Sequence, residues 1–324
     1  VKGANINWAT RRFVEHLEEK NEKLSNYLLL SSDSDHVVHP KYLAAITYKY
    51  LTDEKPMRTA YSTSIHTFAN NIWRVPILIR LFSNFLTLAI MYRWGIKKSD
   101  SNDTFSAYVV NLQTVKDVHF WDPQLENDDT AFYWNAKTRF GGDFKTEVVN
   151  IPTYNDAVEN ENYFKTYKSL WKQQLRWGWG TIVLPMAWAA VYKNPKVSKK
   201  TLFKKLKKMF DERIFARPVL YLLTFGLPVL AILSPEYKYS SASYNLPTIM
   251  SNIMSLMVLM LLPITFIRRQ IIKPPENWGI LRHLRDILES ALLAVVLLTY
   301  GFLPNTQALT ELAFRKKPKE KHYV

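Results

Sequence analysis

The stretch that most limits the fold is Arg217 to Pro304, where three long apolar runs follow one another with only short polar breaks. They are Pro218–Leu233, Leu246–Ile267 and Ile287–Leu303. The hydrocarbon core of a bilayer takes about 20 residues of helix, with a lower limit near 17, so the middle run is long enough and the outer two sit at the limit. This pattern predicts a transmembrane region over 217–304 with about three spans, followed by a basic tail over 305–324. Residues 1–176 are mixed in composition and read as a globular head.

The formal charge of +15 is concentrated beside these runs. Lys193 to Arg217 carries ten basic residues against Asp211 and Glu212, and Arg268, Arg269, Lys273, Arg282 and Arg285 follow the middle run. Basic residues flanking spans mark the cytoplasmic side and attract anionic head groups, so the charge is accounted for by a lipid bilayer, and nucleic acid is excluded as a partner. There are no cysteines, which removes disulfides, thiolate metal sites and thiol nucleophiles. A cytoplasmic head with three crossings puts Arg315–Lys321 outside, against the positive-inside rule; the third run, which contains Glu289, is the weakest of the three.

Within 177–216, Thr181–Tyr192 is apolar but interrupted by Pro185, and it is expected to lie flat on the cytoplasmic face of the membrane. Lys199–Phe215 places Leu202, Phe203, Leu206, Met209, Phe210 and Ile214 on one stripe and its lysines elsewhere, as an interfacial amphipathic helix does. Ile72–Gly95 is apolar too, but Arg80 and Arg93 leave about a dozen uncharged residues between them, too few to span. It is read as a helix covering a sheet or one lying at the membrane surface.

The head is organised around NYLLLSSDSDHVVHP, Asn26–Pro40. Tyr27–Leu30 has the length of a buried strand and ends in two aspartates one residue apart, Asp33 and Asp35. At the carboxyl end of such a strand a carboxylate pair can share a hard divalent cation; Asp-x-Asp is also ordinary turn and N-cap chemistry, and both readings stand at this point. Lys2–Ala9 reads as a loop leading into a helix over Thr10–Leu24, and Tyr42–Leu51 as a helix opened by Pro40. This alternation predicts an α/β head with a parallel sheet.

Further on, Glu126, Asp128 and Asp129 precede a helix expected over Thr130–Arg139 and stopped by Gly141 and Gly142, with a strand over Thr146–Ile151. Asp129 is a candidate base or a plain N-cap. Tyr163–Trp179 is a helix dense in aromatic and cationic residues that contains Gln173, Gln174, Arg176 and Trp177. His36, His39, His66 and His119 have no metal-ligand spacing and are read as surface or satisfied histidines.

In order and approximate spacing, Asp33-x-Asp35, the acids ending at Asp129, and QQLRW over Gln173–Trp177 resemble the motifs of membrane-bound family 2 glycosyltransferases, the cellulose, chitin and hyaluronan synthase group. Lys2, Gly3 and Asn7 of KGANIN resemble that family's lysine and asparagine motif. The motifs cover about residues 1–180. Asn127, Asp128 and Asp129 stand where the family has Thr-Glu-Asp, so the base matches Asp129 with Asp128 as the fallback.

The resemblance implies a GT-A-like nucleotide-diphospho-sugar transferase domain whose N-terminal strands are expected upstream of Val1. It implies Mg²⁺ or Mn²⁺ held by Asp33 and Asp35, and Asp129 as general base. It assigns Arg176 and Lys2 to the donor diphosphate, and Trp177, Gln173 and Gln174 to the acceptor. The expected activity is inverting transfer from a UDP-sugar to a polysaccharide or lipid-linked acceptor, by a multi-pass protein of the cell membrane with a cytoplasmic catalytic domain. QQLRW leans toward a polymerising enzyme, and the small number of spans toward single-sugar transfer. The alternative is an inactive scaffold or partner subunit of the same fold.

Overall fold

Two short strands, Thr59–Thr63 (β3) and Tyr108–Asn111 (β5), are buried along their whole length and form the middle of the head. The computed structural model describes residues 2–96, 103–123, 127–192, 198–215, 221 and 225–314. Glu126, Lys193, Lys196, the Arg217–Val219 opening of the first apolar run and the tail Arg315–Lys321 lie outside the described residues.

A four-stranded sheet has the order β1-β5-β3-β6, where β1 is Leu28–Ser31 and β6 is Lys145–Val149. β5 is antiparallel to both its neighbours, with Leu29 opposite Val110 and Tyr61 opposite Val109; only β3 and β6 pair in parallel. The expected parallel sheet is therefore corrected to a mixed one. β1 and β3 point the same way but never touch, because β5 enters between them from the opposite direction. TAYST has no apolar run, so β3 is not legible in the sequence, whereas β5 is carried by the short run Ala107–Val110. β3 is buried through hydroxyls that find partners: Ser62 Oγ donates to Ala107 O at 2.7 Å and Thr59 Oγ1 to Asp53 Oδ2 at 2.8 Å.

Side chains alternate between the faces of this sheet as the pleat requires. Leu29, Ala60, Tyr108 and Val110 join one cluster with Val14 and Leu17 of α1 (Lys2–Glu19) and with Phe132, Tyr133 and Ala136 of the helix Asp128–Arg139. Leu28, Leu30, Tyr61 and Val109 join the other, with Tyr42 and Ile46 of α2 (Tyr42–Thr52). The head is thus a mixed α/β sandwich, a small sheet between helices. A second sheet, β2-β7-β4, joins Val37–Val38, Thr153–Tyr154 and His66–Thr67, and pins the chain just after the paired aspartates. The expected loop at Lys2–Ala9 is instead the start of α1, whose buried stripe is Gly3, Thr10, Val14 and Leu17.

Two compact units divide the chain. The first is Val1–Ile72, Phe85–Ala157 and Trp179–Met209; the second is Trp73–Asn84, Val158–Gly178 and Phe210–Val324. The two helices expected to lie flat on the membrane belong to the first unit, where Val183 and Ala187 of Val183–Tyr192 and Leu206 and Met209 of Lys199–Phe210 enter its core. Trp188, Phe203 and Phe210 stay exposed, so only part of the expected stripe faces outward.

Among the described residues, two helices are long and apolar enough to cross a membrane, Ile77–Gly95 and Ile280–Phe314. The first corrects the expectation that 72–95 is too short: Arg80 does not break it, because the guanidinium is buried and paired with Glu289. Within the protein, 44% of the apolar window of Ile77–Gly95 is buried against 22% for Ile280–Phe314, so the latter turns more of its surface outward. The middle apolar run lies inside one helix, Ser241–Ile271, of 31 residues with Pro247 and Pro263 within it. Of the first run, the described part includes the short helix Leu227–Leu233.

Candidate active site

Asp33 and Asp35 sit in the turn between β1 and β2, and three tethers fix it. His36 N donates to Asp33 O at 3.2 Å, Asp156 N to Asp35 Oδ2 at 3.2 Å, and Asn70 Nδ2 to Asp35 O at 3.1 Å. Among the described residues, Asp33, Asp35 and His36 form a group whose ligand atoms all lie within 4.8 Å of one another. The two carboxylates are oxygen donors of the kind Mg²⁺ or Mn²⁺ takes, and an imidazole nitrogen beside them favours Mn²⁺ over Mg²⁺. A cation already stands against it: Lys2 Nζ is 2.7 Å from Asp33 Oδ1 and 3.3 Å from Ser106 O.

His36 joins this group and is at the same time satisfied at Nε2, as expected of a histidine without metal-ligand spacing. Its ring is buried, with Nε2 3.8 Å from Asp33 Oδ2 and 2.7 Å from Asn155 Nδ2. Burial, only partly opposed by Asp33 and Asp35, holds its pKa below the ordinary value. Coordination through Nε2 requires Asn155 to release that nitrogen. Asn155 also lies 3.3 Å from Nδ1 of His66, which Thr153 Oγ1 meets at 3.1 Å. Burial, with His36 adding to it, lowers His66 to about 3, so it is a neutral pillar behind the turn. The sequence signal for His36 is its contiguity with Asp-x-Asp; histidine-to-histidine spacing does not reveal it.

The helix Asp128–Arg139 presents the other carboxyls. Asn127, not Asp129, is its N-cap, and Asp128 and Asp129 both fall in the first turn, where the helix dipole favours anions. Its far end is closed by Gly141 and Gly142 at φ 63° and 92°, with Gly142 N donating to Lys137 O at 2.7 Å and Gly141 N to Thr138 O at 3.1 Å. Asp129 Oδ1 accepts from Thr130 N at 2.6 Å, and its backbone carbonyl accepts from Thr104 Oγ1 at 2.6 Å.

Burial, then the neighbouring Asp128, pushes the Asp129 carboxyl up to about 7, with Asp103 adding to the rise and Lys2 opposing it. Asp128 is raised as well, by burial first and then by Asp33, with Lys2 again opposing. Its Oδ2 is buried with no hydrogen-bond partner among the described residues. Lys2 therefore acts on Asp33, Asp128 and Asp129 together, and the two acidic motifs share one electrostatic neighbourhood. Asp103, buried and 3.6 Å from Arg93, comes from a loop with no sequence signal.

QQLRW lies on the helix Tyr163–Trp179, which belongs to the second unit through Gly178. Gln174 is buried, with Nε2 unpartnered among the described residues; Gln173 is half-buried, and Arg176 and Trp177 are exposed. Within that unit the helix packs on the C-terminal one. Tyr167 stacks on Tyr300 at 5.9 Å, and Trp171 Nε1 donates to Gln307 Oε1 at 3.2 Å. Compared with protein-family models and with curated proteins, the chain matches none.

Proposed function

We propose that the chain is a membrane-associated inverting glycosyltransferase of the GT-A type, moving a sugar from a nucleotide-diphospho-sugar to a glycan or lipid-linked acceptor. The observation that carries this reading is a paired acid, Asp33 with Asp35, and a carboxyl poised near neutrality, Asp129, brought under the influence of the same lysine, Lys2. A general base works best with a pKa near the working pH, and the burial of Asp129 supplies that.

Asp33 and Asp35 are the residues that would hold Mg²⁺ or Mn²⁺, which when bound neutralises charge on the diphosphate leaving group. A role for Lys2 at that group is supported by its contact with Asp33. The acceptor hydroxyl attacks the anomeric carbon, the bond from that carbon to the diphosphate breaks with its electron pair leaving on the phosphate, and the hydroxyl proton passes to Asp129. A single displacement inverts the configuration. Roles for Gln173, Gln174, Arg176 and Trp177 rest on the QQLRW resemblance; exposure of Arg176 and Trp177 leaves both able to meet ligands. Ile77–Gly95 and Ile280–Phe314 support attachment to a membrane; the multi-pass topology with a cytoplasmic head is part of the proposal and rests on the basic residues beside the apolar runs.

The test incubates membranes containing the protein with radiolabelled UDP-sugars and Mg²⁺ or Mn²⁺, alongside the Asp129→Asn variant. Transfer that depends on metal and is lost in the variant is the expected result. Transfer that survives Asp129→Asn removes the base assignment, and absence of both turnover and nucleotide binding returns the chain to a scaffold.

A further inference from the structure

The helix Ile280–Glu289 is amphipathic the wrong way round for water. Ile280, Leu281, Leu284 and Leu288 fall on one face and are 76%, 79%, 51% and 74% exposed, while Asp286 and Glu289 on the opposite face are buried. Each buried acid has a cationic partner from another helix of the same unit: Asp286 pairs with Arg268 of Ser241–Ile271, and Glu289 with Arg80 of Ile77–Met91, both arginines being buried. Arg282 Nη1 also reaches Glu289 Oε1 at 3.3 Å. Ser290 adds a hydroxyl contact with Thr265 at 2.7 Å. Arg285 alone is an exposed cation on this helix that turns back, its Nε 2.9 Å from Glu289 Oε1.

A helix facing water turns charge outward and leucine inward; reversing both makes sense where the surroundings are apolar and every charge must be neutralised within the protein. The reversed segment is also continuous with the apolar remainder of Ile280–Phe314. At its start Trp73 and Trp278 meet edge to face at 4.9 Å, and Trp73 Nε1 donates to Lys273 O at 3.0 Å, an aromatic pair of the kind that marks a membrane boundary. We infer that the Ile280, Leu281, Leu284 and Leu288 face lies against lipid acyl chains, and that Arg80–Glu289 and Arg268–Asp286 form an ion-pair lock joining three helices at the membrane. The run that looked weakest as a span, because of Glu289, is then held in lipid by the partners of Glu289. The inference rests on the membrane half of the function proposed above and is independent of glycosyl transfer.

Because the chain has no cysteine, single labels can be placed cleanly. Leu281→Cys, Leu284→Cys and Leu288→Cys are each labelled with a nitroxide, reconstituted into phosphatidylcholine vesicles and compared with Lys172→Cys on an exposed position of Tyr163–Trp179. Power saturation with oxygen and with a water-soluble nickel chelate reads the surroundings of each label. The expected result is strong oxygen and negligible nickel-chelate relaxation at all three leucine positions, with the order reversed at residue 172. Nickel relaxation at 281, 284 and 288 equal to that at 172 overturns the inference. So does spin–spin broadening between labels on separate copies, which assigns the face to a second chain. Flotation of the same vesicles reports membrane attachment by itself, so loss of attachment is distinguished from a helix that faces water on an attached protein.

Discussion

Lys2 and Asp33, 31 positions apart in the chain, meet at 2.7 Å and couple the two acidic motifs of the head. Lys2 lies in the first turn of α1 and Asp33 just beyond β1, so the contact exists only because α1 packs along the sheet with its start beside the end of that strand. The same ammonium lowers the carboxyls of both Asp128 and Asp129 against the rise that burial imposes.

Removing that charge shifts a pH profile. With Asp129 as base, kcat/KM rises with pH through about 7, as the carboxyl loses its proton. Lys2→Met moves this limb to higher pH, and Asp128→Asn, which removes a neighbouring negative charge, moves it to lower pH. Rate–pH curves of the two variants check the opposite displacements. Loss of activity by a factor of about 10² or more in Asp128→Asn, with Asp129→Asn active, would transfer the base role to Asp128.

Asp129 is also a cost to stability at neutral pH. Its ordinary pKa is 3.8 and its folded value about 7, so between these the folded protein holds a proton that the unfolded chain has lost. The stability associated with that proton is complete below about pH 4 and is lost as pH rises through about 7. Asp129→Asn is expected to raise the melting temperature above pH 7, by a free energy whose ceiling is about 4 kcal/mol, while lowering activity by about 10² to 10⁴. Thermal melts of the parent and variant at pH 5 and pH 8 measure it, the gain being larger at pH 8.

Metal binding separates the three ligand candidates. Mn²⁺ titration followed by electron paramagnetic resonance is expected to show binding weakened roughly tenfold or more by Asp33→Asn or Asp35→Asn. His36→Ala weakens it less, since Nε2 of that ring already faces an amide of Asn155 at 2.7 Å. Equal loss in all three variants would make His36 a full ligand.

Breaking the buried pair in the second unit costs more than removing it. Glu289→Leu leaves the Arg80 guanidinium buried without its carboxylate and is expected to destabilise by about 3 to 5 kcal/mol. The double variant Arg80→Met with Glu289→Leu recovers part of that loss, because both buried charges are gone, while Arg282 and Arg285 still lose their carboxylate partner. Denaturation of the single and double variants in detergent gives the comparison.

Gly178 is a packing requirement of the helix Tyr163–Trp179. A Cβ there would lie 2.7 Å from Ala308 Cβ and 3.1 Å from Asn305 Cα, so neither side chain nor backbone leaves room. Gly178→Ala is expected to cost about 1 to 3 kcal/mol by overpacking, read as a lowered melting temperature.

What the amino-acid sequence determined was local. The helix Tyr163–Trp179, the glycine stop after Arg139, the strand that begins beside Lys145 and the paired aspartates at the end of β1 are each written in a few neighbouring residues. Periodicity, capping and turn chemistry act over one or two turns of chain and are legible there. The tertiary structure decided the rest. The antiparallel entry of β5 depends on which strands find each other across the sheet, and β3 carries hydroxyls and small residues that only pairing makes suitable for burial. Arg80 and Glu289 read as interruptions of apolar runs because their compensation lies 209 positions away. The raised carboxyl of Asp129 and the company of Lys2 and His36 around the aspartate turn arise in the same way, from burial and from charges that approach through space.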